Sequence, residues 1–199
     1  PSIASTVSAN PATGVSIVSY TGTGANATIA HGLNAAPEFA IFKARNGSNH
    51  WLVYHKSIGN DKKVNLNLSD AQSSSSTSYF QSTDPTSSVF YLGTESSGNW
   101  SNYNMIGYLF SSVEGYSAFG TYEGNNNANG PFLYTGFRPA FFLVKNIDAS
   151  QPWNIYDAAR DPDNVVTKGL QPPSPGVEYD TTDRCDFLSN GIKIKSSGG

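Results

Sequence analysis

The residues of this chain that could do chemistry are few and scattered. Asp84, Glu95, Glu114, Asp157, Asp161 and Asp163 are the carboxylates from which glycoside hydrolysis would need an acid and a partner at a defined separation. None sits in a recognisable glycosidase phrase. Glu114, in Ser-Val-Glu-Gly-Tyr, reads as a capping or bridging residue beside a strand junction. No catalytic residue is assigned. His31, His50 and His55 all fall in the first half, and on a regular strand His50 and His55 point to opposite faces, so they cannot share a metal there. Their default reading is solvated strand positions. Asp157, Asp161, Asp163 and Asn164 make one oxygen-rich loop, and Glu178, Asp180, Asp183 and Asp186 another. Calcium takes about six to eight oxygens, and neither run has EF-hand spacing. Asp157, Asp161 and Asp163 are therefore the candidate calcium ligands, set against plain solvated charges.

Aromatic residues offer a different chemistry, stacking on a sugar ring. Trp100 lies in a polar loop, Ser97-Gly98-Asn99-Trp100-Ser101-Asn102, and with Asn99 and Asn102 it forms the candidate ligand contact. Trp51, Tyr54, Trp153 and Tyr156 read instead as core. Trp51 shares strand parity with Val53, and Trp153 with Ile155, as a sandwich interior requires. Arg138 and Arg160 read as loop braces paired with nearby carboxylates.

Composition narrows what must position these residues. The chain has 199 residues, a net charge of −3, 14% charged and 13% aromatic residues. Few charges with many aromatics and small polar residues suit β-structure with long polar loops rather than helices. The absence of a basic cluster argues against nucleic acid as a partner. No apolar run is long enough to span a bilayer, so no membrane insertion is expected. The single cysteine, Cys185, allows no intrachain disulfide and reads as a small buried thiol.

An internal repeat organises the chain. Pro37, Lys43, Trp51 and Tyr54 match Pro139, Lys145, Trp153 and Tyr156, each pair 102 residues apart, the difference between 139 and 37. Tyr20-Thr21-Gly22 matches Tyr122-Glu123-Gly124 at the same offset, whereas His31-Gly32-Leu33 meets Thr135-Gly136-Phe137 after a two-residue gap. In the first copy, strands are predicted over Val15–Tyr20, Asn26–Ala30, Glu38–Lys43, Trp51–His55, Lys63–Leu68, Val89–Leu92 and Tyr103–Phe110. Asn46-Gly47 is the best two-residue hairpin signal. The second copy predicts strands over Tyr116–Tyr122, Phe132–Tyr134, Ala140–Lys145 and Trp153–Tyr156, then diverges, with a helical turn near Asp157–Asn164 and a proline-rich segment over Gln171–Gly176. Phe187–Lys195 matches the region of Val89–Leu92. The counterpart of Tyr103–Phe110 is missing after Ser196–Gly199, which leaves an open edge for a neighbouring chain or for residues beyond the end.

The frame resembles a duplicated domain family of structural, tail-fibre-like proteins from marine and cyanobacterial tailed bacteriophages. The phrases that carry the likeness are Tyr20-Thr21-Gly22-Thr23-Gly24, His31-Gly32-Leu33, Ser82-Thr83-Asp84-Pro85-Thr86 and Val113-Glu114-Gly115-Tyr116-Ser117. They continue with Thr135-Gly136-Phe137-Arg138-Pro139-Ala140, Asp157-Ala158-Ala159-Arg160-Asp161 and Asp186-Phe187-Leu188-Ser189-Asn190-Gly191. The resemblance implies a virion protein and brings no catalytic residues.

The expectation is an all-β chain of tandem β-sandwich, jelly-roll-like modules. Residues 1–14 form an arm or linker, 15–115 a first repeat, and 116–199 a second repeat lacking its last strand. The expected function is a non-enzymatic tail-fibre or capsid-decoration protein on the virion surface. Its expected partners are other virion proteins, copies of itself and host-surface glycans. A stand-alone lectin-like module is the alternative, and a glycan-degrading enzyme a weaker one.

Overall fold

The computed structural model describes residues 1–196, apart from the side chains of residues 181 and 182. Residues 197–199, the end of the second repeat, lie outside the described residues. The chain is nearly all β, in several antiparallel sheets, none closed into a barrel. It divides into two compact units, each described by itself.

The first unit comprises Pro1–Leu66, Gln72–Val113 and Ser117–Gly120. Its strands are β1 (Ser5–Asn10), β2 (Val15–Thr21), β3 (Ala27–Ala30), β4 (Phe39–Ala44), β5 (Leu52–His55), β6 (Val64–Asn65), β7 (Val89–Leu92) and β8 (Asn104–Phe110). Two single-turn helices, α1 (Thr77–Phe80) and α2 (Ser96–Asn99), interrupt them. One sheet runs β1-β2-β8-β4-β5-β6, and β3 pairs with β7 in a separate ribbon.

Alternation along the strands decides which face each sheet buries. Met105, Gly107 and Leu109 of β8 are buried, while the residues between them are only half-buried. Both the large sheet and the ribbon contribute to one core: Val18 and Tyr20, Ala40 and Phe42, and Leu52 and Tyr54 from the sheet, with Ile29, Phe90 and Leu92 from the ribbon. Its centre is aromatic. Phe42 lies 5.0 Å from Phe90, and Tyr54 lies 5.2 Å from both Phe80 and Phe90, edge to face with each. Each such burial contributes about 1.5–3 kcal/mol. Gly107 makes room for this cluster, since a Cβ there would stand 2.8 Å from the Phe42 ring.

The arm predicted for residues 1–14 is a strand. β1 pairs with β2 from Ser5↔Tyr20 to Asn10↔Val15, and Ser2 and Ile3 donate to Thr28 O. It was illegible because it is a polar edge strand that buries almost nothing, and only Ile3 before it enters the core.

The second unit comprises Asn67–Ala71, Glu114–Tyr116 and Thr121–Gly199. Its strands are β9 (Phe132–Tyr134), β10 (Phe141–Val144), β11 (Asn154–Asp157), β12 (Val166–Gly169), β13 (Tyr179–Leu188) and β14 (Gly191–Ile194). One sheet runs β12-β13-β14-β9, and β10 pairs with β11 alone. Tyr156, Val166, Cys185, Phe187, Ile192 and Ile194 form the buried core, with Tyr122, Leu133, Phe142 and Val144 packed against it.

The hairpins of the two units share one register. Phe39↔His55, Ala40↔Tyr54, Ile41↔Val53 and Phe42↔Leu52 become Phe141↔Asp157, Phe142↔Tyr156, Leu143↔Ile155 and Val144↔Asn154. The bond Lys56 N to Glu38 O recurs as Ala158 N to Ala140 O. β7 and β14 also correspond at the offset of 102 residues, the difference between 191 and 89.

Three local expectations need correction. Asn46-Gly47 is no two-residue turn: the strands are separated by residues 45–51, because the Lys43 ammonium gathers the carbonyls of Gly47 (2.7 Å) and Asn49 (2.8 Å) into a wider loop. The clean alternation of Lys63–Leu68 yields only the short β6. Tyr116–Tyr122 holds no strand apart from a lone bridge of Val113 with Ser117. Ser76 ends the serine-rich loop by capping α1, accepting from Ser78 N.

Candidate functional site

The chemistry-bearing end of the first unit is built where the β2–β3 turn meets the segment from α2 to β8. Gly22 lets the two come together, since a Cβ on it would stand 2.1 Å from Trp100 O. Tyr20, buried at the end of β2, donates its phenol to Gly98 O, and burial pushes its pKa well up, so it stays protonated.

Asn99 is the hub of this junction rather than a ligand contact. It is fully buried. Its Nδ2 donates to Ala25 O (2.7 Å) and Gly93 O (2.9 Å), and its Oδ1 accepts from Thr23 N (2.8 Å). The amide therefore ties the turn to α2 and has no capacity left for a ligand. Trp100 is half-buried against the core and stacks on Tyr103, with centroids 3.8 Å apart and planes at 5°. Trp100, read from the sequence as a ligand contact, thus shares its ring between the core and the surface. Of the three candidates, Asn102 alone is exposed, in a left-handed conformation (φ 64°) with its N–H donating to Gly22 O.

Beside this junction lies a shallow open recess of about 330 Å³. Buried Tyr20 and Met105 line it together with Ser5, Thr6, Ser19, Thr21, Arg45 and Asn104. Asn46 Oδ1 accepts from Asn104 N (3.0 Å), and Arg45 N donates to Asn104 O (2.7 Å), which fixes two lining residues against each other. Arg45 is exposed, and among the described residues its guanidinium makes no salt bridge. Hydroxyls, an amide and a guanidinium around an open recess can bind a hydroxyl-rich or anionic ligand by hydrogen bonds. This site has no signal along the sequence, because its lining residues meet only through the pairing of β1, β2 and β8.

A family model described as a domain of unknown function, DUF7483, matches residues 1–199. The chain belongs to that family. No curated protein and no solved structure matches it.

In this DUF7483 chain the remaining candidates brace structure. Asp157 pairs with Arg160 (2.6 Å), which also reaches Glu178 (3.3 Å). Asp161 Oδ2 accepts from Thr167 N (2.8 Å) and Lys168 N (3.2 Å), bonds that hold its carboxyl below the usual range. Asp163 is exposed. Among the described residues no three His, Cys, Asp or Glu side chains gather closely enough to hold a metal ion. Arg138 differs from its expected role as a partner of carboxylates, since its Nε donates to Phe187 O (3.4 Å).

The carboxylates weighed for hydrolysis that remain have a local partner or face solvent. Asp84 accepts from Asn60 (2.7 Å), Glu95 pairs with Lys63 (3.1 Å), and Glu114 is exposed. His31 is not solvated: it is fully buried, Nδ1 accepting from Leu33 N while Nε2 faces Thr86 O (3.1 Å). Burial lowers its pKa, and the Thr86 bond opposes that shift. His55 caps a 3-10 turn by accepting from Ser57 N (3.1 Å).

Of the four repeated aromatics, Tyr54, Trp153 and Tyr156 are buried, but Trp51 is only half-buried. The core face of β5 is that of Leu52 and Tyr54, so strand parity places Val53 on the other face, and Trp51 precedes the strand. No described helix is long and apolar enough to cross a membrane.

Proposed function

We propose that this chain is a non-enzymatic structural protein of a phage virion, a tail-fibre or surface-decoration component that contacts host-surface glycan. The observation that carries the reading is the recess at Arg45 and Asn104, an open polar surface backed by a rigid hydrogen-bonded junction. A shallow site of this kind suits weak, many-copy contact, in which avidity supplies the strength. The hairpins in identical register support a tandem of two related sandwich modules with jelly-roll-like loops, the modular construction of an extended surface protein. The same reading places the protein on the virion surface, in copies beside other virion proteins.

Glycan-array and whole-cell binding by the purified chain, multimerised on a carrier, tests the adhesive part. Binding that is lost in Arg45→Ala and Asn104→Ala, with the fold intact, is expected. Binding unchanged by both substitutions places adhesion elsewhere. The same recess supports a stand-alone lectin-like module as the second reading, distinguished by binding as a monomer and by absence from particles.

A further inference from the structure

Strand register lays out the polar groups of the recess in the first unit. β2, β8 and β4 lie side by side, with Thr21 opposite Asn104 and Ala44 opposite Met105. Arg45 follows Ala44 and donates its backbone N–H to Asn104 O, which sets it opposite Asn104. Neighbouring strands stand about 4.8 Å apart, so the backbones of Thr21, Asn104 and Arg45 form one row about 10 Å long. Tyr20 and Met105 enter the core, so Thr21 and Asn104 project from the other face of the sheet. The pair Thr6 and Ser19 continues that face two residues further along β1 and β2. All five of these polar residues line the recess. Among the described residues, none of their side chains has a hydrogen-bond or ion-pair partner. The other arginines are engaged: Arg138 donates to Phe187 O, Arg160 pairs with Asp157 and Glu178, and Arg184 donates to the Ser196 hydroxyl. No Asp or Glu is among the described residues lining the recess, so Arg45 gives it an unopposed positive charge in a chain of net charge −3.

We infer that this recess takes a carboxylate-bearing sugar, a uronic or sialic acid residue of an acidic glycan. Its carboxylate sits on the Arg45 guanidinium, and its ring hydroxyls meet Asn104 and Thr21. The inference rests on the glycan reading of the recess and narrows it to one class of sugar. A guanidinium presents its N–H groups as a planar fork that matches the two oxygens of a carboxylate. Such charge-assisted bonds are about twice as strong as neutral ones, an advantage that a neutral sugar forgoes. One guanidinium with no second cation beside it fits a single negative charge rather than a phosphate ester carrying two. The Asn104 amide and the Thr21 hydroxyl each both donate and accept, as sugar hydroxyls do, and so suit the uncharged part of the ring.

The test uses the multimerised 199-residue chain on an array of uronate- and sialate-bearing glycans. Each is paired with its carboxyl-reduced counterpart, neutral but otherwise the same, and with a sulfated form of that counterpart. Carboxyl reduction should weaken binding about tenfold or more. Arg45→Gln should erase that difference, and Arg45→Lys, a point charge without the fork, should restore only part of it. Added salt should weaken binding of acidic glycans by the parent chain and leave Arg45→Gln unaffected. Amide spectra of the single chain with free glucuronate and N-acetylneuraminate should shift at Thr21, Arg45 and Asn104, and the spectra of each variant verify its fold. Acidic and neutral glycans bound equally, both lost in Asn104→Ala, would overturn the inference and leave the glycan reading standing. Sulfated forms bound as tightly as carboxylated ones would overturn the assignment of a carboxylate. Binding of no glycan, or binding indifferent to both Arg45→Ala and Asn104→Ala, would remove the inference together with the glycan reading beneath it.

Discussion

Tyr54 and Tyr156 occupy the same rung of two hairpins, Tyr54 opposite Ala40 and Tyr156 opposite Phe142. Both are buried, and each joins the core of its own unit. Their surroundings differ in a way that reflects what each hairpin supports. Tyr54 packs edge to face with Phe80 and Phe90, a dry aromatic setting that pushes its pKa up. Tyr179 donates its hydroxyl proton to Asn154 Oδ1 (2.7 Å), and its oxygen lies 3.2 Å from the Tyr156 hydroxyl. The same position thus closes an apolar core in one unit and anchors a polar network in the other.

The aromatic core of the first unit depends on the missing side chain at Gly107. A methyl there meets the Phe42 ring, which Phe90 and Phe80 hold in place. Gly107→Ala should destabilise the first unit by about 1–3 kcal/mol. Gly120→Ala, with nothing within 4 Å of the new methyl, should stay within about 0.5 kcal/mol of the parent. Urea unfolding of both variants checks this, and equal midpoints would show that the ring moves freely.

Asn99 donates to Gly93 O inside the buried junction and shares Ala25 O with the Thr23 hydroxyl (3.0 Å). Asn99→Ala should cost about 1–3 kcal/mol for each carbonyl left without a donor. Asn99→Asp should be at least as damaging, because a carboxylate cannot donate to Ala25 O or Gly93 O. Thermal unfolding with a probe on the neighbouring Trp100 measures both. An unchanged transition would remove the junction from the account.

Acid should weaken the first unit through His31. Its folded pKa lies below the ordinary 6.5, so the unfolded chain binds the proton first. The histidine contribution is complete above about pH 6.5 and declines as the pH falls from there toward the folded pKa. His55, also lowered by burial, acts in the same direction. The prediction is a falling unfolding midpoint from pH 7 to pH 5, with a shallower slope in His31→Asn. An identical slope in that variant would exclude His31 as the source.

Cys185 should be silent in the folded protein. Burial, with help from Asp186 and Asp161, pushes its thiol pKa up to about 12. At pH 8 a thiol reagent should modify it only as fast as the second unit opens, and rapidly in denaturant. Fast modification without denaturant would show the core of β13 and β14 to be open.

Legibility in the sequence followed the hydrophobic signal. β2, β4, β5, β7 and β8 were readable because their apolar residues alternate or run continuously between turn residues. Where burial is polar, reading failed: Asn99 and His31 look like loop residues, yet both are fully enclosed by backbone partners distant in sequence. β1 failed for the opposite reason, since its pairing on β2 buries little. Trp51 reads as core through the parity it shares with Val53, yet the core face of β5 is that of Leu52 and Tyr54, and Trp51, before the strand, is only half-buried. The recess could not be anticipated because Ser5, Ser19, Arg45 and Asn104 meet only through strand pairing.

That this DUF7483 chain is a structural part of a virion is a proposal, and its abundance in purified particles tests it. Phage particles purified from a culture whose genome encodes the chain would be analysed by quantitative mass spectrometry and by labelling with an antibody against it. The account predicts several copies per particle, with label on the outer surface. Absence from purified particles, with the protein recovered from cells or medium instead, would contradict it.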